Sequence, residues 1–572
     1  MSEPADFSFS KRSYFLLLSI LIVACVVRVV PALNYGQDWY GEGSFTLVNF
    51  DEAGSCRAAL DGFDYSPWVG WQTLALAEAS GLSVPDGIRG DARAVKAFCQ
   101  SESHIVIARL YSAVAGVLTV AALWILAVLL FPAKPLAAPV ASALLALSGW
   151  HISESMVGTV DAASTFFIYA FTCAVVWSVR HDGFRWLLAL LLLAPAVWTK
   201  YWVFAFASLA VLIPIPGYVT LFKGIDRSRA LLLLLSYVGL FGIVSTPELS
   251  GLLIWFLPIL FYAVVPWSRL GSAAKGFMLL APWLAPALMQ VEIFAAFTSA
   301  GAEGRFGTDY GAIGWHKWLR NPVNIPVVLV MGLGLPGFVM AVSGLAHLWK
   351  SAPLDRAWLA LLPLLAFVLY MAFLAPVTYY RHYLPLLPLA CLLAAVRVSH
   401  WRPPLRAVSV ALLLSWQAVL AVDLVTDYHF DPRRDLPKWY AENEPQRVWA
   451  SYYVNPPPDT GVGHRLFKPA FVRSGSNNLR QSDTLILSEN WYDTAFANEL
   501  NGPLVHDPAR LIKTTPESVT FYRRAFAGEL PFLVKRARLR APSYMPELLV
   551  HRALYGSFTQ FVGDIVILEV EL

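Results

Sequence analysis

Two adjacent carboxylates, Asp51 and Glu52, lie in the segment NFDEAGSCRAAL, and a third, Asp161, lies in HISESMVGTVDAASTFF. Carboxylates can take a proton from a hydroxyl or help to hold a hard divalent cation. Two basic residues interrupt largely apolar sequence: Lys200 in WTKYW, and Arg381, with His382 beside it, in TYYRHYLPLLPL. Lysine meets a phosphate as a point charge, whereas arginine meets it through a planar fork. A further set, Arg305, Asp309 and His316, falls in the glycine-rich stretch SAGAEGRFGTDYGAIGWHKWLRNP, which could close over a substrate or idle as a surface loop.

Each of these has an ordinary explanation beside the chemical one. Asn49-Phe50-Asp51-Glu52 reads equally as an N-cap followed by first-turn acids that the helix dipole favours. Adjacent residues on a helix point about 100° apart, so one acid can face a cleft while the other binds substrate, metal or a helix terminus. His151, Ser153, Glu154 and Ser155 form a polar cluster before Asp161, as an ordinary polar hairpin between two spans also would. Ionisable residues at a span boundary are nevertheless functional candidates by default. Lys200, flanked by Trp198, Tyr201 and Trp202, is either an interfacial anchor or a ligand for a lipid phosphate. Arg381 is expected at the N-terminus of a span, where an anion is also favoured. His382 stands alone, and lone histidines are usually structural.

The elements that must position these residues follow from composition. The chain is 57% hydrophobic and 14% charged, with a mean hydropathy of +0.55. A soluble protein carries roughly a quarter charged residues, so this is a membrane protein. The net charge of +4 gives no indication of nucleic-acid binding. Spans are expected near 13–33, 105–131, 136–151 and 157–179, two short ones within 185–215, then near 229–246, 250–266, 274–297, 323–349, 357–375, 382–398 and 405–424. The first follows Lys11-Arg12, contains Arg28 and lacks a small-x-small cleavage site, so it reads as a retained anchor.

Thirteen spans put the two termini on opposite sides. With the N-terminus inside, inner loops hold fifteen basic residues and short outer loops five, including Lys200, Arg305 and Arg381. Positive charge is retained on the cytoplasmic side, which supports this register. The first outer loop, about 34–104, should carry short helices at EAGSCRAAL and VGWQTLALAEAS whose apolar faces could lie on the membrane. It also holds Cys56 and Cys99, for which a disulfide is a reasonable hypothesis. Cys25, Cys173 and Cys391 fall within spans as buried thiols. The fold class expected is thus a polytopic α-helical bundle over 1–429, followed by a small extramembrane α/β domain over 430–572. In that tail DTLILS and DIVILEVEL read as strands and WYDTAFANEL as a helix.

The order of the first-loop Asp-Glu, RLYSAVAGVLTVAALWILAVLLFP, ALLALSGWHISESMVGTVDAASTFF, WTKYWVFAFASLAVLIP and YYRHYLPLLPL resembles the GT-C glycosyltransferases. The branch resembled contains the protein O-mannosyltransferases and the lipid A aminoarabinose transferases, and the likeness covers roughly residues 13–400. It implies an enzyme of the bacterial inner membrane that passes a sugar from a polyprenyl-phosphate donor to an acceptor at the periplasmic face. Asp51 would then be the base or acceptor-binding carboxylate with Glu52 beside it, Asp161 the second acid, and Lys200 and Arg381, with His382, the donor-phosphate ligands. The family's Arg-Tyr reads Arg381-His382-Tyr383 here, and GSC follows Asp51-Glu52-Ala53 where an aromatic is commoner. Both departures leave sugar and acceptor open. Such a transfer needs a base for the acceptor hydroxyl and positive charge for the departing phosphate, and direct displacement would invert the anomeric centre. No cofactor is required by the residues, although Asp51, Glu52 and Asp161 together could hold a divalent metal. The alternative is a flippase or other transporter, which would place polar residues through the mid-membrane and often pair discontinuous helices.

Overall fold

The computed structural model describes residues 11–62, 67–180, 315–351, 380–451, 463–467, 479–492, 516–541 and 563–572, with Val454 and scattered positions in 188–200 and 364–372. The spans expected near 229–246, 250–266 and 274–297 lie outside these residues, as do Arg305 and Asp309, and those in 185–215 and 357–375 lie mostly outside them.

Helix α1 spans Lys11–Asn34 and leaves Phe15, Leu18, Ile22 and Val26 exposed, as a helix at the edge of a bundle in lipid would. The first loop folds into the two short helices expected, α2 Gly54–Asp61 and α3 Pro67–Ala79, and a third that was not expected, α4 Ala92–Cys99. It is not simply laid on a surface. Cys56 and Leu60 of α2 pack with Val95 and Cys99 of α4 against Ile105, and Cys56 and Cys99 are disulfide-bonded with a Cα–Cα distance of 5.7 Å. Helix α3 keeps Trp71 and Leu76 exposed.

Helix α5, Glu102–Leu130, crosses the bundle beside α1. The span expected at 136–151 is not one helix. It is α6, Ala137–Ala146, a break at Leu147-Ser148, and α7, Gly149–Met156. Ten residues reach only about 15 Å, half the thickness of a bilayer core. The break is tolerated because Arg28 of α1 donates to the carbonyls of Leu145 and Ala146 at 3.1 and 3.0 Å, filling acceptors that a helix end leaves open. Ser148 donates to the Gly332 carbonyl at 2.7 Å. Residues 157–160 then turn the chain into α8, Asp161–Arg180, at 113° to α7.

Later helices are α9 Trp315–Ser351, kinked at Gly334, α10 Leu386–Ser399 and α11 Pro403–His429. Among the described residues four stretches are long and apolar enough to cross a membrane: Ser13–Asn34, Glu102–Leu130, Asn324–Lys350 and Pro403–Asn443. The protein is an integral membrane protein.

The tail contains α12 Leu436–Asn443, α13 Glu489–Tyr492 and α14 Pro516–Phe526. Of the helix expected over WYDTAFANEL only the start is described. The strands are β1 Arg447–Ala450, β2 Gly463–Leu466, β3 Thr484–Ser488, β4 Leu533–Leu539 and β5 Ile565–Val570, in the order β2-β1-β3-β5-β4. The first three run parallel; β5 is antiparallel to β3 and to β4. Strand alternation divides two cores. Leu485, Leu487, Val566 and Leu568 pack on one face with Tyr522, while Ile486, Ile565 and Ile567 pack on the other with Leu436 and Trp439.

This sheet adjoins the first loop. Tyr40 packs against the second of those cores. Buried Arg433 pairs with Asp431, donates to the Val48 carbonyl at 3.3 Å and to the Tyr35 hydroxyl at 2.8 Å. Tyr35 in turn donates to Asp431 at 3.1 Å, and burial together with that carboxylate pushes its phenol well above its usual range, so it remains a donor. The ends of α1 and α11 and the start of the tail are therefore tied at one edge of the bundle.

Candidate functional site

The segment carrying the acidic pair is a single 3-10 turn, Phe50–Ala53, capped by Asn49, whose side chain accepts from the Asp51 amide at 3.0 Å. The helix-start reading holds, and the cap fixes where the two acids point. They point apart. Asp51 keeps a third of its side chain exposed, while Glu52 is fully buried.

Glu52 is held by Arg109, about two turns into α5. Arg109 Nε and Nη2 donate to its two oxygens at 2.6 and 2.9 Å, and the Gly158 amide donates to Oε1 at 2.9 Å. Arg109 also bonds the Tyr35 carbonyl. A two-pronged arginine–carboxylate pair is among the stronger charge-assisted contacts. Here it ties the acidic turn, α5, the end of α1 and the turn leading into Asp161 to one point. Gly158 permits this, since a Cβ there would stand 2.8 Å from the Ala108 Cβ. Glu52 therefore faces a protein partner and not the open side of the turn.

Asp51 faces Arg381. Arg381 Nη1 donates to Asp51 Oδ2 at 2.8 Å, and its Nε lies 4.0 Å from Asp161 Oδ2. Asp161, buried at the first position of α8, also pairs with Lys200. The four charges form a chain, Asp51–Arg381–Asp161–Lys200, two acids alternating with two cations. Arg381 does not begin a long helix as expected; it lies in the 3-10 turn Tyr380–Tyr383, separated from α10 by Leu384-Pro385. That turn is fixed by Tyr169, two turns along α8, which donates to the Pro385 carbonyl at 2.9 Å.

His382 sits half-buried in the same turn. His316 belongs to the first turn of α9, and its companions Arg305 and Asp309 lie outside the described residues. As for a metal, Asp51, Glu52 and Asp161 are not gathered as one ligand set, because Glu52 is taken up by Arg109. Among the described residues no group of three or more metal-ligating side chains is suitably arranged.

Two residues of the site were not singled out from sequence. Arg109 offered a signal, being an arginine inside an otherwise apolar span. Glu154 of α7 stood in the polar cluster before Asp161; it is buried, and its charge acts on both Lys200 and Tyr428. Ser153, next to it, shares a 2.8 Å hydrogen bond with the Tyr428 hydroxyl.

No protein-family model matches the chain, and no curated protein matches it by sequence. Solved structures do. One is the archaeal oligosaccharyltransferase AglB from Archaeoglobus fulgidus in complex with an inhibitory peptide and a dolichol-phosphate, at 13% identity and a TM-score of 0.46, covering 81% of this chain and 62% of that one. Another is ArnT from Cupriavidus metallidurans bound to undecaprenyl phosphate, at 13% identity and a TM-score of 0.41, covering 84% of this chain and 94% of that one. A third, the Archaeoglobus oligosaccharyltransferase with zinc and sulfate, has a TM-score of 0.45 and 13% identity, covering 79% of this chain and 58% of that one. This chain thus spans about six tenths of the length of those two oligosaccharyltransferase chains.

Proposed function

We propose that the protein is a membrane glycosyltransferase that moves a sugar from a polyprenyl-phosphate donor to an acceptor at the bundle edge carrying the charged chain. The observation that supports this most directly is Arg381 between two acids, 2.8 Å from Asp51 and 4.0 Å from Asp161. In this reading Lys200 and Arg381 receive the donor phosphate and stabilise the charge that develops as the sugar departs. Asp51, the more open carboxylate, takes the proton from the acceptor hydroxyl. Asp161 holds both cations in place. Glu52 is a positioning residue, fixing Asp51 through the shared turn and Asp161 through Gly158. One base acting by direct displacement inverts the anomeric centre. Inner-membrane location, with the N-terminus cytoplasmic and the tail periplasmic, belongs to the same proposal and is supported by the charge bias of the loops.

The test is transfer of radiolabelled sugar from a synthetic polyprenyl-phosphate donor to endogenous acceptors in inverted and right-side-out membrane vesicles containing the protein. Incorporation in wild type that disappears with Asp51→Asn supports the reading. Movement of labelled lipid between leaflets without incorporation would identify a flippase instead.

A further inference from the structure

At the end of the bundle opposite the carboxylates, a second cluster is built that the proposed transfer does not use. Helices α5 and α10 both begin near the charged chain, through Arg109 and Arg381, and both finish at this far end. There the His347 ring of α9 meets the His400 ring that closes α10, with centroids 4.2 Å apart at 62°. The meeting depends on Gly344, one turn before His347, because any side chain there would strike the Leu393 carbonyl. Arg397, one turn before His400, is held by Ser343 at 2.9 Å and lies over the Trp401 ring at 5.8 Å. The charges of Arg397 and of Lys134, from the turn between α5 and α6, both act on the His347 ring.

Three nitrogen-bearing groups from two helices thus converge, with Lys134 near enough for its charge to bear on the His347 ring, although the two cations repel. The chain segments that form the junction, 131–136, 341–351 and 396–406, contain no aspartate or glutamate. Apolar surface flanks the cluster: Val342, Leu345 and Trp349 on α9 and Leu405 on α11 are exposed, Trp349 by 79%. A tryptophan bare to this degree at a helix end is typical of a membrane interface. Basic pockets between spans, with acyl chains able to run down adjacent apolar faces, suit the headgroups of anionic lipids.

We propose that the His347–His400 junction, with Arg397 and Lys134, is a binding site for the phosphate headgroup of an anionic phospholipid. A topological bias would scatter positive charge over the loops. Here the helices are brought into backbone contact and the cations are directed to one place, next to exposed apolar surface. The proposal is independent of the catalytic reading.

The test uses the full-length protein in vesicles of equimolar phosphatidylcholine and phosphatidylglycerol, with fluorescent analogues of each lipid reporting binding. Wild type should prefer the phosphatidylglycerol analogue. Lys134→Gln/Arg397→Gln/His400→Gln should reduce that preference by about thirtyfold, from the loss of two full cations near the surface. A matched control at the same edge, Lys11→Gln/Arg12→Gln, should change it little. Equal binding of both lipids by wild type, or an equal loss in the control, would overturn the site in favour of diffuse attraction. Thermal stabilisation by inorganic phosphate equal to that by phosphatidylglycerol would overturn the lipid assignment. Should the triple variant fail to fold, Lys134→Gln alone, in a surface turn, should reduce the preference about fivefold, and no reduction would count against the site.

Discussion

Arg381 reaches Asp51 across 330 residues of chain, its Nη1 donating to Oδ2 at 2.8 Å. The pair joins the first loop after α1 to the turn before α10, and it is the contact on which the proposed chemistry depends. A carboxylate paired with an arginine is a poor base until the arginine finds another anion. In the proposed transfer, a donor phosphate arriving at Arg381 and Lys200 would supply that anion and release Asp51 toward the acceptor.

Asp51→Asn retains the shape of the side chain but cannot take a proton. Transfer should fall by about a hundredfold or more, the usual range for loss of a general base, while membrane insertion and thermal stability remain as in wild type. Activity within a factor of about two of wild type, with no other carboxylate recruited, removes Asp51 from the mechanism.

Arg381→Ala should chiefly raise the apparent KM for the donor. Arg381→Lys should recover part of it, since a point charge replaces the fork. Donor titrations of the two variants decide the matter, and an unchanged apparent donor affinity in Arg381→Ala counts against a phosphate role.

Glu52 and Arg109 are both fully buried. Arg109→Met alone leaves a buried carboxylate with a single amide donor and should cost about 3–5 kcal/mol of stability. Adding Glu52→Gln should return most of that stability, though not the activity, because the turn that carries Asp51 is no longer held. Thermal melts and transfer rates over the double-mutant cycle read the two effects separately. Additive melts would show that the pair does not act as a unit.

Gly158→Ala places a methyl group 2.8 Å from the Ala108 Cβ. Overpacking of this kind costs about 1–3 kcal/mol, and relief requires the 157–160 turn to withdraw from α5. Activity should therefore fall more than stability, as Asp161 follows the turn. A variant that loses stability with kcat intact would show that the turn does not set the position of Asp161.

Cys56 and Cys99 close a loop with a sequence separation of 43. On chain-entropy grounds the bridge contributes about 4 kcal/mol. Non-reducing gels should show a mobility shift on reduction, and Cys56→Ser/Cys99→Ser should loosen the α2–α4 core, measured as faster proteolysis of the first loop. Identical mobility with both thiols open to alkylation would exclude the bond.

Local patterns are legible in the sequence where the chain answers to its near neighbours. Asn49 capping the acidic turn, α2, α3, β3 and β5 follow from residue type and periodicity over a few positions. So does the bundle itself, because runs of apolar sequence have no other stable place. The span expected at 136–151 failed for a non-local reason: α6 can end early only because Arg28, more than a hundred residues before, supplies donors to its last carbonyls.

For the site, the sequence by itself determined which residues could do chemistry: an acid pair beyond the first span, an acid at the start of α8, and two cations in apolar surroundings. The tertiary structure decided which acid of the pair faces the cations. Adjacent residues on a turn must diverge, yet nothing local says which one turns inward. That choice is made by Arg109 and Gly158, 57 and 106 residues away from Glu52. Likewise the pairing of Asp161 with Lys200 and of Asp51 with Arg381 is a property of helices packed together, since an ion pair depends on distance in space and not on order along the chain.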